Sequence, residues 1–207
     1  MTDDAGDSPF TALGGPERDS LLRSRRYVLT ALQGGELAFA PGTSREDIAR
    51  LCADLALLVA GEIAGNAQFN RHLSSAEADE AAIARMQDEI TELEMLALDD
   101  GVVPFPGGQP LPESAMRDGD VTGMPPEAAR ASLRLWRYVA DVAVEGRRPR
   151  LPRAELRRVA EGLAGLVLGL VAGQHAAAGA APEDAQEAAA RHVLTQRDLY
   201  GSLGAGD

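Results

Sequence analysis

The stretch that decides the fold runs from Glu155 to His175 and reads ELRRVAEGLAGLVLGLVAGQH. It is the least polar part of the chain, and a similar stretch, Asp47 to Ala67, precedes it by 108 positions. An ungapped alignment at that offset, from Pro41 to Gly65 in the first copy, has ten identities in 25 positions. We therefore interpret the chain as an internal duplication.

The similarity continues on both sides of the central stretch. Arg137-Tyr138-Val139 repeats Arg26-Tyr27-Val28 at an offset of 111, and Ala190-Arg191 repeats Ala84-Arg85 at an offset of 106. The offset changes only where loops are expected, which is how a duplicated chain behaves. Apolar residues recur at helical spacing in each segment. The sequence predicts an all-α fold of about six helices, arranged as two duplicated three-helix units packed with pseudo-twofold symmetry.

Proline and glycine set the expected boundaries. Residues 1–16 are acidic and interrupted by Gly and Pro, which predicts a disordered tail. Residues 17–98 form the first three-helix repeat and residues 126–203 the second. Between them, residues 99–125 form a Pro/Gly-rich linker.

Two local patterns refine the central helices. Thr43 stands three residues before Glu46, which predicts a capping box at the start of the second helix. Glycines then recur every four residues, and such small residues allow two helices to approach closely. These glycines are Gly61 and Gly65 in the first copy and Gly165, Gly169 and Gly173 in the second. We expect the two central helices to contact each other through them.

Composition limits the possible functions. The net charge of −12 disfavours nucleic acid and anionic membranes as partners. All 20 basic residues are arginine, which excludes enzymes that need a Schiff-base, pyridoxal-phosphate or P-loop lysine. We expect no cofactor. The single cysteine, Cys52, cannot form an intramolecular disulfide, and residues 1–20 contain no apolar core of a signal peptide. These features predict a cytoplasmic protein.

A membrane span is disfavoured. The best candidate is the uncharged segment from Gly162 to Ala181, which is rich in Ala and Gly and therefore inserts weakly.

One group of polar residues lies beside the apolar face of the second helix. Glu62, Asn66 and Asn70 are spaced by four and form a line, and Gln174 stands opposite Asn66 in the other copy, followed by His175. We predict that these five residues edge a ligand pocket between the repeats. The alternative is an ordinary half-exposed helix flank.

A basic run forms the second candidate site. Its four arginines, Arg147, Arg148, Arg150 and Arg153, stand on a Pro-containing connector where they could bind an acidic protein or a phosphate. The alternative is a solvated face that is attracted to the acidic residues between 74 and 100.

The third candidate lies in the linker. Asp118-x-Asp120-x-Thr122-Gly123 resembles the first half of an EF-hand calcium loop, which implies metal binding by Asp118 and Asp120. The twelfth position is Ala129, where that loop has Glu. The alternative is a solvated Asp/Gly turn.

The sequence contains none of the common catalytic motifs, and three hypotheses for function remain. The first is a non-enzymatic helical interaction or accessory protein that binds a protein partner or itself. The second is a small-molecule-binding protein with a pocket between the two helical repeats. The third is a metal-dependent enzyme that uses the linker carboxylates or the histidines.

Overall fold

The computed structural model describes residues 15–32, 39, 42–97 and 126–202. Within these ranges the protein consists of six α-helices and contains no β-strand, which confirms the all-α prediction. The helices are α1 (Gly15–Leu32), α2 (Arg45–Arg71), α3 (Ser75–Leu96), α4 (Pro126–Ala143), α5 (Arg153–Ala177) and α6 (Pro182–Ser202).

Side-chain caps fix where two of the helices begin. At the start of α2 the Oγ of Ser44 accepts the backbone N–H of Asp47 at 3.0 Å, and its hydroxyl donates to the Asp47 carboxylate at 2.6 Å. The predicted cap at Thr43 and Glu46 is therefore wrong by one residue. A complete capping box opens α3 at Ser74. Caps of this kind stabilise a helix because its first backbone N–H groups lack partners within the helix.

The chain divides into two compact units, and the division falls within α2. The first unit contains α1, the part of α2 up to Glu62, α5 and α6. The second contains the rest of α2 from Ile63, together with α3 and α4. The compact units therefore do not follow the order of the predicted repeats along the sequence.

In the first unit α1 packs against α5 and α6, and α5 packs against α6. The thiol of Cys52 donates to the carbonyl oxygen of Leu156 at 3.2 Å and so joins α2 to α5. The buried side of α5 consists of aliphatic residues and alanine at helical spacing, namely Leu156, Val159, Ala160, Leu163, Ala164, Val167 and Val171. Burial of this face stabilises the unit through the hydrophobic effect.

In the second unit α3 packs against α4. Met86 of α3 and Trp136 of α4 are buried. At the surface Arg137 forms an ion pair with Glu94 at 2.7 Å. Such exposed pairs contribute little stability, so the apolar contact is the dominant one.

The glycines of the central helices do not lie where helices approach closely. A Cβ atom added at any of these five positions would have no other heavy atom within 4 Å beyond its immediate helical surroundings. The glycines lie on the exposed side of each helix and are Gly61, Gly65, Gly165, Gly169 and Gly173. The prediction that the central helices contact each other through these residues is therefore wrong.

Among the described helices, α5 is the one that is long and apolar enough to cross a membrane by length and composition. Its most apolar 18-residue segment has a mean hydropathy of 1.3, and a third of that segment is buried. One such helix is weak support for a span, because core helices of soluble proteins have the same properties.

Candidate functional site

A network of four polar side chains lies inside the first unit. Arg25 of α1, Glu62 of α2, and His192 and Gln196 of α6 meet there. The Nε of Arg25 donates to Oε1 of Gln196 at 2.9 Å. The Nε2 of Gln196 lies 3.2 Å from Oε1 of Glu62 and 2.7 Å from Nε2 of His192. The remaining carboxylate oxygen of Glu62 lies 3.5 Å from His192 Nε2. Three helices are thus joined by one set of hydrogen bonds.

The positions of these residues follow from helical spacing. Arg25 stands between Leu21 and Val28 on the inner side of α1, and only 4% of it is exposed. Its Nη1 also donates to the carbonyl oxygen of Leu21 at 3.3 Å. His192 and Gln196 are one turn apart on α6, so their side chains lie side by side.

Glu62 carries the negative charge of this network. Its side chain is 10% exposed, and burial by itself raises the pKa of a carboxyl group. The hydrogen bond and the positive charge that His192 supplies when protonated, the hydrogen bond from Gln196 and the charge of Arg25 together outweigh that effect, so the pKa of Glu62 lies below its ordinary value. The carboxylate is therefore ionised at neutral pH, and each of its oxygens has a neighbour among the described side chains.

The structure places the five predicted ligand residues in different surroundings. Glu62 lies in the network, and the Gln174 side chain donates to the backbone carbonyl of Glu62 at 3.4 Å. Asn66 and Asn70 belong to the second unit, where the Nδ2 of Asn70 donates to Oδ1 of Asn66 at 2.6 Å. His175 is half-buried in the last turn of α5. Glu62 and Gln174 are thus brought together.

Arg25 and Gln196 are absent from the sequence-based prediction, and His192 was considered there only among the histidines as a possible metal ligand. Each of the three nevertheless has a recognisable feature in the sequence. Arg25 interrupts the apolar line of α1, and at the offset of 111 it stands opposite Trp136. His192 and Gln196 are spaced by four and flank the buried Val193. A polar residue on the buried side of a helix requires a polar partner, so Arg25 indicates that such a partner exists, although the sequence does not show which helix supplies it.

The basic run is exposed, and one of its members is paired. Arg147, in the second unit, forms ion pairs with Asp141 at 3.0 Å and with Glu145. The other three arginines of the run are exposed and are Arg148, Arg150 and Arg153. Partner binding by these residues stays a prediction.

The predicted metal ligands Asp118 and Asp120 lie outside the described residues. Within the part of the chain that the structure describes, no group of three or more His, Cys, Asp or Glu side chains is arranged to hold a metal ion.

Cys52 is fully buried. Burial raises the pKa of its thiol to about 12, although backbone hydrogen bonds partly oppose this effect. The residue is therefore a thiol and not a reactive thiolate at neutral pH.

Comparison of the chain with protein-family models, curated proteins and solved structures gives no match.

Proposed function

We propose that the chain is a non-enzymatic helical interaction protein, built by duplication of a three-helix unit, that binds another protein through uncharged surface on its central helices. The observation that carries this proposal is the exposure of large apolar side chains on α2. Leu57 is 53% exposed and Phe69 is 80% exposed. Both side chains are available to a partner, and aromatic side chains such as Phe69 are enriched at protein-binding surfaces.

Matching burial in the central helices supports the duplication. Each buried residue of α5 has a buried residue 108 positions earlier in α2. Leu55 and Leu163, for example, are both fully buried, as are Val59 and Val167. The matched set in α2 is Ile48, Leu51, Cys52, Leu55, Ala56, Val59 and Ile63. This shared register is what two copies of one helix are expected to have.

The outer helices match as well, with one adjustment. The buried residues Ala78, Ala82 and Met86 of α3 correspond to Ala185, Ala189 and Val193 of α6 at an offset of 107. The sequence identities in these helices suggested 106, so the buried register differs by one residue. Because Ala and Arg recur often in both helices, identities alone are a weak guide to the register.

Helix pairing gives further support. In the order of the repeats, α1 is the first helix of one copy and α6 the third helix of the other, and these two pack together. The corresponding pair, α4 and α3, also packs together. Each first helix therefore contacts the third helix of the opposite copy, as in a homodimer that exchanges helices and has become fused into one chain.

The described contacts of Glu62 favour the interaction hypothesis over a small-molecule pocket. A ligand that bound this carboxylate would have to displace Gln196 or His192. If Gln196 were displaced from Glu62, the hydrogen bond that Gln196 accepts from the buried Arg25 would also be disturbed. Breaking one bond in such a buried network costs about 1–3 kcal/mol, so the network is better suited to holding helices together.

The test is site-specific photo-cross-linking in cells that express the full chain. A photoreactive residue at position 69 or 57 is expected to form covalent adducts. The matched control is Gln87, an exposed and uncharged residue of α3. An adduct of twice the chain mass identifies a second copy, and an adduct of another mass identifies another protein. Equal labelling at position 87, or no adduct at 57 and 69, would overturn the proposal.

A further inference from the structure

Arg25 fixes the orientation of the Gln196 amide. The Nε–H of Arg25 needs an acceptor, and the oxygen of Gln196 lies 2.9 Å away. If the amide were reversed, its NH2 group would face the N–H of the buried guanidinium, and two donors would oppose each other. The NH2 group of Gln196 therefore faces Glu62 and His192, and it donates to both.

This orientation determines which nitrogen of His192 carries the proton. The Gln196 Nε2 lies 2.7 Å from the Nε2 of His192, so that ring nitrogen must accept a hydrogen bond. In a neutral imidazole the nitrogen that accepts carries no proton. The neutral ring is therefore protonated at Nδ1. The same Nε2 lies 3.5 Å from Oε2 of Glu62, and neither of those two atoms can donate to the other while the ring is neutral.

We propose that His192 is a proton-operated switch that exchanges its hydrogen-bond partner, binding Gln196 when neutral and Glu62 when protonated. A proton added to Nε2 removes the acceptor that Gln196 uses. It also creates a donor, already within 3.5 Å of a carboxylate. The imidazole side chain is 36% exposed and is therefore accessible to protons from solvent.

Four other polar groups surround His192 in and beside the network. From α2 it faces the carboxylate of Glu62, and from α1 the network contains the guanidinium of Arg25. From α5 the neighbouring group is the uncharged amide of Gln174, which donates to the backbone carbonyl oxygen of Glu62. From α6 itself it is the amide of Gln196. Glu62 supplies the one negative charge among these groups, so it is the acceptor for the protonated ring.

The exchange changes which helices His192 connects. The neutral ring bonds to Gln196, which is on its own helix. The protonated ring bonds to Glu62 and adds a charged contact between α6 and α2, and a charge-assisted hydrogen bond is stronger than a neutral one. In the other copy Leu170 stands where Glu62 stands here, so the second copy lacks an equivalent acceptor.

Nuclear magnetic resonance of the side-chain nitrogens tests the proposal on the unmodified full chain. At about pH 8, above the ordinary titration of histidine, the Nδ1–H tautomer of His192 should dominate. On acidification the side-chain NH2 signals of Gln196 should move together with the His192 ring signals. His175 serves as an internal reference, and His192→Phe assigns the signals.

Two results would overturn the proposal. One is a dominant Nε2–H tautomer at about pH 8. The other is a Gln196 amide whose signals stay constant while His192 titrates. Gln196→Leu should abolish the preference for the Nδ1–H tautomer. If that variant does not fold, the spectra of the unmodified chain still decide the question.

Discussion

Replacing the three glycines on the exposed side of α5 with alanine should stabilise the protein. Each residue lies inside a helix, and an added Cβ would have no neighbour within 4 Å, so helix propensity is the main effect. Gly is about 0.8–1.0 kcal/mol less favourable than Ala inside a helix. Gly165→Ala and Gly169→Ala should each approach this value. Gly173→Ala should contribute less, because it is near the frayed end of the helix.

The triple variant should therefore gain about 2–3 kcal/mol in unfolding free energy. For a chain of about 200 residues this corresponds to a rise in Tm of roughly 4–12 °C. Chemical denaturation, measured at several protein concentrations, gives the free energy directly. The control is Gly146→Ala, which has equally open surroundings but a φ of +63°. It should lose about 1–2 kcal/mol, because a left-handed conformation is costly for alanine.

A neutral or destabilising result for Gly165→Ala or Gly169→Ala would refute the reasoning. It would mean that another part of the chain, or a second copy, already covers this side of α5. If the triple variant is more stable and also loses the cross-linked adduct, the glycines serve close approach by the partner. In that case the protein gives up helix stability for binding.

Three further outcomes are expected. The stability advantage of the unmodified chain over Glu62→Gln should be present above about pH 4.5 and should fall as pH drops through the lowered pKa of Glu62; an advantage that grows as pH falls below about 4.5 would contradict this sign. Cys52 should react with thiol reagents only as fast as the protein unfolds, so rapid labelling of the folded protein would show that its burial is wrong. Leu163→Ala should cost about 2–5 kcal/mol in denaturation experiments and the exposed Leu57→Ala well under 1 kcal/mol, and equal costs would contradict the burial pattern.

Helix positions could be predicted from the sequence because their signals are local. Pro126 and Pro182 are each the first residue of a helix, and proline at that position is a signal that can be read from the sequence alone. The start of α2 differs by one residue, because Thr43 and Ser44 are chemically similar and only geometry decides between them. The apolar face of α2 from Ile48 to Ile63 is buried as predicted.

Helix pairing could not be predicted in the same way. Contact between α1 and α6 joins residues about 170 positions apart, and no local pattern encodes it. The role of the glycines was also predicted wrongly, because spacing by four marks a helix face without showing whether that face is inside or outside. Glu62 was identified because it forms a polar line with Asn66 and Asn70 beside the apolar face of α2, whereas Arg25 was missed because arginine within a helix is usually solvated.

The proposed duplication gives a reason to look for a function in the Glu62 network. In the alignment of the proposed copies, Trp136 stands opposite Arg25 and Leu170 opposite Glu62. Trp136 is buried, so the position aligned with Arg25 holds an apolar side chain. A buried ionic network is often no more stabilising than apolar residues of similar volume. Stability alone therefore does not account for charged residues at both Arg25 and Glu62. The proposed proton-dependent contact between α2 and α6 would account for Glu62, because that contact needs both an ionised Glu62 and a neighbouring His192, and an apolar replacement would remove it.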